Sequence, residues 1–513
     1  MRIPHTPSFL VVALLCILLS AQLLEGADPW PVGAGELATA VDVQIETLLA
    51  EYRIPGATVS VVADGELLYA KGYGWADVEE SRPVVADETL FGVASVTKLF
   101  LWTAMMQLVE QGLVDLHADV QDYLGDIRIP TTYDEPITLA HLMTHTAGFA
   151  EITGPLYGTE LPILSDYLVA HMPERIFPPR AVTAYSNYGA ALAAYILERV
   201  TGVSCPTYAE EHILQPLGMN DSSLTQPLPG ELTARESASY VLRFGKLKRN
   251  TQLLDLLLAA GGLSATATDM AAFMIAHLQN GQYGDARILS PETADVMHQR
   301  QFANEPRLPG VCYGFFEYFR NGLRLIQHGG DADFHSILAL IPDRNVGVFF
   351  AINSAGSGMG SLITQRFLVE FLDRWFPPDA EVDERSDVMA VGIGSARRCT
   401  GTYMPTRRVE SGLLGLVYRL LGVRVRPISD RSIRMTGLML DMELTEVEPL
   451  LFAEVGGPLK VAFTEDDRGA VHLMQHDDFP AMAYEKPHPT ETPQFAFGFV
   501  GFLGVLAALA FLI

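Results

Sequence analysis

Segments with the pattern of β-strands lie at both ends of a long helical stretch, and this arrangement limits the possible folds more than any other feature. Two short apolar runs, Ala57 to Val62 and Leu67 to Tyr73, flank Asp64-Gly65, a pair typical of a β-hairpin turn. From Leu99 to about Ala276, apolar residues recur every three or four positions, which indicates helices. The remaining predicted elements are three strands and a closing helix: Leu323 to Gln327, Ser336 to Ile341, Val346 to Ile352 and Ser361 to Trp375.

Strands at both ends of one region, with helices between them, indicate a single antiparallel sheet assembled from distant parts of the chain and covered by helices. We therefore predict an α+β fold over residues 35–376, with an all-helical subdomain inserted between the strands. Residues 377–396, which begin with two prolines and continue with acidic and small residues, are predicted to be a linker. Short alternating runs around an Asp-Asp-Arg-Gly turn then predict a small β-rich domain over residues 397–488.

Both ends of the chain are hydrophobic, and the two ends support different predictions. Residues 1–26 combine Arg2, the apolar run Phe9 to Leu19 and small residues near Gly26, which is the layout of a secretory signal peptide. An uncleaved anchor is the alternative. Residues 495–513 are uncharged and long enough for a transmembrane helix, with a buried core helix as the alternative. The chain is therefore expected to be exported and membrane-anchored, with its main domain outside the cytoplasm.

The charge balance excludes several classes of partner. The formal net charge of the 513-residue chain is −26, so nucleic acid and anionic membrane surfaces would repel it. Three cysteines, Cys205, Cys312 and Cys399, follow the predicted signal. They are odd in number and far apart, and therefore predict neither a disulfide framework nor a zinc site.

His141 and His145 are the one pair with metal-ligand spacing, four residues apart on a predicted helix. Leu142 stands where a zinc peptidase of that pattern needs a glutamate, so a structural role is favoured. We expect no metal and no other cofactor.

Ser95 and Lys98 form the first pattern with chemical meaning, an S-x-x-K at the start of a helix. Three positions apart, the two side chains share one helix face. Lys98 opens the apolar run Leu99 to Met106, where burial would make its proton easier to lose, and a neutral amine can activate a serine hydroxyl. The helix N-terminus would favour developing negative charge. The alternative is that Ser95 only caps the helix while Lys98 extends to the surface.

Two further patterns are weaker when taken alone. Tyr185 and Asn187 precede a predicted helix and, two positions apart in an extended segment, would face one cleft. In the alternative reading Asn187 caps the helix and Tyr185 belongs to the core. His328-Gly329-Gly330 ends a predicted strand, and its glycines would leave the backbone open to a ligand; a turn with a surface histidine is the alternative.

Together, and in this order, these patterns resemble the serine β-lactamase-like and penicillin-binding-protein family, which includes class C β-lactamases, D-alanyl-D-alanine carboxypeptidases, D-aminopeptidases and esterases. The resemblance covers roughly residues 41–375. It rests on Ser-Val-Thr-Lys after Leu90-Phe91-Gly92, ITLAHLMTHTAGF, Tyr-Ser-Asn, AGGLSATATDM and His-Gly-Gly.

The resemblance implies a role for each matching residue. Ser95 would be acylated, Lys98 and Tyr185 would move protons, and Asn187 would hold the substrate amide. His328 and Gly330 would lie along the substrate edge, and the backbone N–H groups of Ser95 and Asp331 would form the oxyanion hole. Enzymes of the family devoted to β-lactams usually carry Lys-Thr-Gly as the third motif, and this chain carries His-Gly-Gly.

That departure favours peptidases and esterases over β-lactamases. The expected function is an exported, membrane-anchored serine hydrolase for a small peptide, amide or ester substrate. We rank a peptidase or carboxypeptidase for D-residue peptides first, an esterase second and a weak β-lactamase third. Some membrane-anchored peptidases of the family also append hydrophobic helices after the hydrolase domain. A non-catalytic cell-surface binding protein is the alternative from another class, although it would have no reason to keep Ser95, Lys98 and Tyr185 together.

Overall fold

A computed structural model describes residues 33–251, 253–378, 394–410, 412–420, 422–438 and 440–487. The predicted signal peptide (1–26), most of the predicted linker and the predicted transmembrane helix (495–513) lie outside these residues. Within the described ranges, no helix is both long enough and apolar enough to span a bilayer.

Residues 33–251 and 253–378 form an N-terminal unit of strands and helices. Its strands are β1 (Gly56–Ala63), β2 (Glu66–Asp77), β3 (Arg82–Pro83), β4 (Phe91–Gly92), β5 (Tyr157–Gly158), β6 (Tyr240–Arg243), β7 (Lys246–Arg249), β8 (Leu254–Asp255), β9 (Ser264–Ala265), β10 (Gln282–Tyr283), β11 (Ala286–Arg287), β12 (Phe316–Arg320), β13 (Leu323–Asp331), β14 (His335–Ile341) and β15 (Val346–Ile352). Its helices are α1 (Ala34–Tyr52), α2 (Thr97–Glu110), α3 (Leu139–Met143), α4 (Leu164–Ala170), α5 (Asn187–Thr201), α6 (Cys205–Ala209), α7 (Leu232–Arg235), α8 (Leu258–Gly261), α9 (Ala267–Leu278), α10 (Pro291–His298) and α11 (Gly360–Trp375).

One antiparallel sheet of seven strands organises this unit, in the order β12-β13-β14-β15-β1-β2-β3. The centre of the sheet joins the two ends of the unit, because β1 pairs with β15 with Val61 opposite Val348. The α+β prediction and the five predicted strands are confirmed. β12 was not predicted, and it adds an edge strand whose partner is β13.

Helices cover both faces of the sheet and create two hydrophobic cores. Every residue of β1 is buried, with Val59 and Val61 in the core under α1 and α11, and Val62 in the core under α2, α5 and α9. Burial on both faces explains why this strand is mostly apolar, since neither set of side chains meets water, and its two polar residues, Thr58 and Ser60, are buried as well. The second core extends to the turn that carries Ser95.

The sequence predicted an all-helical subdomain, and this prediction is wrong in part, because the region between β3 and β12 also contains strands. Four pairs of short strands connect its helices: β4 with β9, β5 with β8, β6 with β7, and β10 with β11. The β6-β7 hairpin turns at Phe244 and Gly245, and all four residues of β7 are exposed. The apolar alternation used to recognise strands is absent from the exposed β7, and the other three pairs consist of two-residue strands, which are too short to show it.

The C-terminal region forms a closed eight-stranded barrel. Its strands are β16 (Gly401–Pro405), β17 (Val423–Pro427), β18 (Ser432–Thr436), β19 (Asp441–Glu448), β20 (Leu451–Glu454), β21 (Lys460–Glu465), β22 (Val471–His476) and β23 (Tyr484–Glu485), with the helix α12 (Gly412–Leu420) after β16. The barrel closes where β23 pairs with both β16 and β22, so no edge strand is left open. A β-rich domain was predicted here, whereas its closure and α12 were not.

A buried carboxylate ties the residues before β16 to the barrel. Glu446 is fully buried and accepts hydrogen bonds from the backbone N–H groups of Gly394, Ser395 and Leu450, each at 3.1 to 3.2 Å, and from the Ser395 hydroxyl. Four donors compensate for the loss of hydration of this charge. Residues 394–396, which fall at the end of the predicted linker, are therefore packed as part of the barrel.

Candidate active site

Ser95 lies in a short 3₁₀ turn, Ala94–Val96, that leads directly into α2. Ala94 has a φ of +48°, a left-handed conformation that is costly for a residue with a Cβ atom. The turn is fixed from behind by Thr97, whose hydroxyl donates to the Ala94 carbonyl at 2.6 Å and accepts from the Leu263 N–H at 3.1 Å. This geometry holds Ser95 at the wall of a cavity, at the start of a helix.

Lys98 is fully buried, which contradicts the alternative that it extends to the surface. Its Nζ donates to Ser95 Oγ at 3.1 Å and to the Ala260 carbonyl at 2.6 Å. The burial of a lysine next to a serine hydroxyl is the arrangement by which an amine can take that hydroxyl's proton.

Asp255 is a titratable neighbour that was not predicted from the sequence. Its carboxyl group lines the same cavity, and burial raises the pKa of Asp255 to about 6, opposed first by the hydrogen bond from the Leu257 N–H and then by the charge of Lys98. Asp255 therefore places a second ionisable side chain at the cavity, close to Lys98.

Tyr185 and Asn187 both line the cavity, in agreement with the prediction that their side chains face one cleft. The residue that caps α5 is Ser186, whose hydroxyl accepts from the Gly189 N–H at 3.0 Å, so the alternative role of Asn187 as the cap is wrong. The Lys98 Nζ lies 5.0 Å from the centre of the Tyr185 ring. The Tyr185 hydroxyl is buried and makes no hydrogen bond to any residue in the described part of the chain.

His145 supports the tyrosine and is not a metal ligand with His141. The helix α3 ends at Met143, and His145 follows with a φ of +55°, so the two histidines do not share a helix face. His141 Nδ1 accepts from the Thr138 N–H in the cap of α3, at 3.1 Å. No cluster of three metal-ligating side chains occurs within the described ranges.

The His145 ring lies against the Tyr185 ring, with 4.3 Å between their centres. Its Nδ1 accepts from the Ser186 N–H at 3.2 Å, so its proton is on Nε2. Burial, and secondarily the charge of Lys98, holds the pKa of His145 well below its ordinary value. His145 is therefore a neutral side chain at neutral pH, packed behind the predicted proton carrier.

The third motif lies at the end of β13, beside the turn that carries Ser95. Gly330 pairs with Ser336 of β14, and the Ser336 hydroxyl donates to the Val93 carbonyl at 2.7 Å. A Cβ atom on Gly330 would lie 2.3 Å from the Val93 oxygen, so only glycine fits this approach. The close contact brings Asp331, whose N–H is predicted for the oxyanion hole, to the same cavity as Ser95.

His328 is more deeply buried than a residue along the substrate edge was expected to be, with 1 % of its surface exposed. Its Nδ1–H donates to the Gly329 carbonyl at 2.8 Å, and its ring packs 4.7 Å from the centre of Phe316. Burial, and then the charge of Lys98, lowers the pKa of His328 to about 3. The ring is thus a neutral part of the cavity wall.

The cavity has a volume of about 580 Å³. Lys98 contacts Ser95 from behind the cavity wall. The other six of the seven predicted site residues line the cavity: Ser95, Tyr185, Asn187, His328, Gly330 and Asp331. The barrel contributes three lining residues that the sequence did not reveal, Arg407, Asp478 and Phe479. No local pattern marks them, since they come from a separate domain.

Comparison with known proteins agrees with this geometry. Residues 41–370 match the family model described as Beta-lactamase. Esterase EstB of Burkholderia gladioli is 34% identical over 221 residues, which cover 39% of this chain and 56% of the esterase. A Beta-lactamase of Yersinia enterocolitica is 28% identical, over 58% of this chain and 74% of that protein. The match to the esterase thus spans little more than half of its length.

Solved structures show the same fold. The crystal structure of SurE superposes with a TM-score of 0.63 at 24% identity, covering 89% of this chain and all of that one. From residue 41 to residue 370 the family match includes the whole seven-stranded sheet, most of the helices that cover it and every predicted site residue. The chain belongs to the Beta-lactamase family of serine hydrolases, together with esterase, β-lactamase and penicillin-binding-protein relatives.

Proposed function

We propose that this protein hydrolyses small peptides or amides through an acyl-enzyme on Ser95, with D-residue peptides as the preferred class of substrate. The observation that carries the proposal is the fully buried Lys98, whose Nζ lies 3.1 Å from Ser95 Oγ. Burying a lysine against a serine is costly for a protein that only binds a ligand, and it serves a purpose in acyl transfer.

In the acylation step, Ser95 Oγ attacks the substrate carbonyl as its proton passes to Lys98 Nζ. The backbone N–H groups of Ser95 and Asp331 would stabilise the negative charge on the carbonyl oxygen. The C–N bond then breaks, and the leaving amine takes a proton delivered through Tyr185. Asn187, at the first turn of α5, would hold the substrate amide.

Deacylation reverses these roles with water as the nucleophile. Water loses a proton to the Tyr185 and Lys98 pair and attacks the acyl carbon, and the proton returns to Ser95 Oγ as the ester bond breaks. Burial lowers the pKa of both His145 and His328, which makes each imidazole a weak base and a poor acceptor for the serine proton.

An esterase is the second candidate, and a specific observation favours it. Esterase EstB is 34% identical to this chain over 221 residues. The same acyl-enzyme would form, with an alcohol as the leaving group in place of an amine. Parallel assays on D-peptides, short acyl esters and nitrocefin will rank the candidates, and nitrocefin is expected to be the poorest substrate because His-Gly-Gly replaces Lys-Thr-Gly.

The covalent step is tested by labelling. A fluorophosphonate probe is expected to modify Ser95 covalently, because an activated serine attacks phosphorus even when turnover is slow. Peptide mapping will locate the probe. Ser95→Ala should abolish labelling, whereas Ser361→Ala should preserve it, since Ser361 lines the same cavity but is not part of an S-x-x-K motif. Equal labelling of Ser95→Ala and the unaltered protein would refute the proposal.

We also propose that the protein is exported and held at the membrane by residues 495–513, as their hydrophobic composition indicates. The full chain is expected to sediment with membranes. A chain ending before Phe495 should appear in the soluble fraction with its activity retained. Loss of folded protein in that truncation would instead mean that the segment belongs to the core.

A further inference from the structure

The barrel is attached to the segment that carries Tyr185. The Thr406 hydroxyl, just after β16, donates to the Thr183 carbonyl at 2.6 Å, and the Thr183 hydroxyl donates to the Pro480 carbonyl at 2.9 Å. Ala184 forms an isolated β-bridge with Met482. Thr183 and Thr406 are both fully buried, so these bonds are shielded from water. The backbone leading into Tyr185 is therefore held by the barrel.

Arg407 of the barrel reaches the tyrosine ring itself. Its Nε donates to the carboxylate of Glu151, whose side chain is only 9 % exposed, and its guanidinium carbon lies 5.0 Å from the centre of the Tyr185 ring. A cation near the face of an aromatic ring is attracted by the ring's negative electrostatic face. Glu151 fixes the arginine, and the arginine in turn restrains the ring.

The orientation of the phenol depends on such ring contacts. Its hydroxyl makes no hydrogen bond with any residue of the described ranges, so no polar partner fixes its direction. The N-terminal unit contacts the ring through His145, Phe316, His328 and Lys98, while the barrel contacts it through Phe479 and Arg407. Two of these six contacts are thus lost if the barrel residues are removed.

We infer that Arg407 is a positioning residue, through which the C-terminal barrel holds Tyr185 in the orientation needed for proton transfer. The inference rests on the proposed function, in which Tyr185 moves protons. The barrel then contributes to the active site by positioning one of its catalytic residues. Besides Arg407, the Lys98 Nζ lies 5.0 Å from the centre of the same ring, and Glu151 pairs with Arg407.

The test uses the full chain with single substitutions. Arg407→Gln is expected to lower kcat by about 10²-fold with an unchanged KM, because misplacing a catalytic group affects the transition state more than binding. Arg407→Lys should recover most of the loss, since it keeps a cation near the ring. Arg434→Gln removes an exposed barrel arginine paired with Asp441 and should leave kcat unchanged.

A double-mutant cycle identifies the residue through which Arg407 acts. In the Tyr185→Phe background, Arg407→Gln should cause no further loss of kcat, since the hydroxyl it positions is gone. Additive losses would overturn the inference, and so would a change in KM alone, which would mean that Arg407 binds substrate. Recovery of kcat in Glu151→Gln/Arg407→Gln would overturn it as well, because the defect would then come from the unpaired Glu151.

The proposed function and this inference fail in different ways. Absence of probe on Ser95 in the unaltered protein would reject the proposed function itself. Normal labelling of Ser95 together with a normal kcat for Arg407→Gln would reject only the role of Arg407.

Discussion

Lys98→Met is expected to lower kcat by about 10² to 10⁴-fold, the usual contribution of a positioned proton-transfer group. Methionine keeps the length and apolar stem of the side chain but offers no amine to Ser95 Oγ. The Ala260 carbonyl also loses its donor, which costs stability on the order of 1 to 3 kcal/mol. Steady-state kinetics on the best substrate, with thermal unfolding of the same preparation, will separate the loss of chemistry from the loss of fold.

Lys71→Met is the matched control for this substitution. Lys71 lies on β2, pairs with Asp42 at 2.8 Å and is 42% exposed, so its replacement should leave kcat unchanged. A folded Lys98→Met protein with normal turnover would mean that another group activates Ser95. The proposed mechanism would then be wrong.

Gly330→Ala is expected to lower kcat by about 10² to 10³-fold, comparable to the loss of one oxyanion-hole donor. The added methyl group would lie 2.3 Å from the Val93 carbonyl oxygen and 2.5 Å from Ser336 Oγ. Neither oxygen atom can move away without cost, because the Ser336 hydroxyl donates a hydrogen bond to the Val93 carbonyl. Strand β13 must therefore move away from the turn that carries Ser95, and the N–H groups of Ser95 and Asp331 will no longer converge.

Gly329→Ala provides the comparison one residue earlier. A methyl group there meets only the Ser336 carbonyl oxygen, at 3.8 Å, which is an ordinary contact. Activity and melting temperature of both variants should be measured together. Equal kcat values for folded Gly330→Ala and Gly329→Ala would show that the close approach of β13 to residue 93 has no part in catalysis.

Local patterns in the sequence predicted most of the sheet. The hairpin around Asp64-Gly65 and the strands near Ile326, Leu338 and Phe349 are confirmed because each contains a short run of mainly apolar residues that the sheet buries at least in part. The edge strand β12 was missed. Its sequence is Phe-Glu-Tyr-Phe-Arg, and Glu317 is buried in a pair with Arg300 and Arg324. The burial of Glu317 therefore depends on partners that no local sequence pattern shows.

Some residues of the candidate site could likewise be predicted from the sequence, and others could not. Ser95, Lys98, Tyr185 and Asn187 were predicted because each lies in a short motif with its own spacing, and all of them lie at or directly behind the cavity wall. Arg407 and Phe479 could not be predicted, since their relation to Tyr185 exists only after the barrel has closed and docked. His145 was noticed for its spacing from His141, and its actual contact, the Tyr185 ring, lies 40 residues further along the chain.

The pairing of β1 with β15 sets an order of events during synthesis. As the chain emerges, β1 and β2 are made early, but the second edge of β1 finds its partner only after residue 352 has been added. Long-range pairing of this kind slows folding and leaves an apolar strand edge open to aggregation meanwhile. Arg407 and Phe479 arrive later still. We therefore expect nascent or prematurely terminated chains to need protection by chaperones, and to gain activity only after the barrel has been completed.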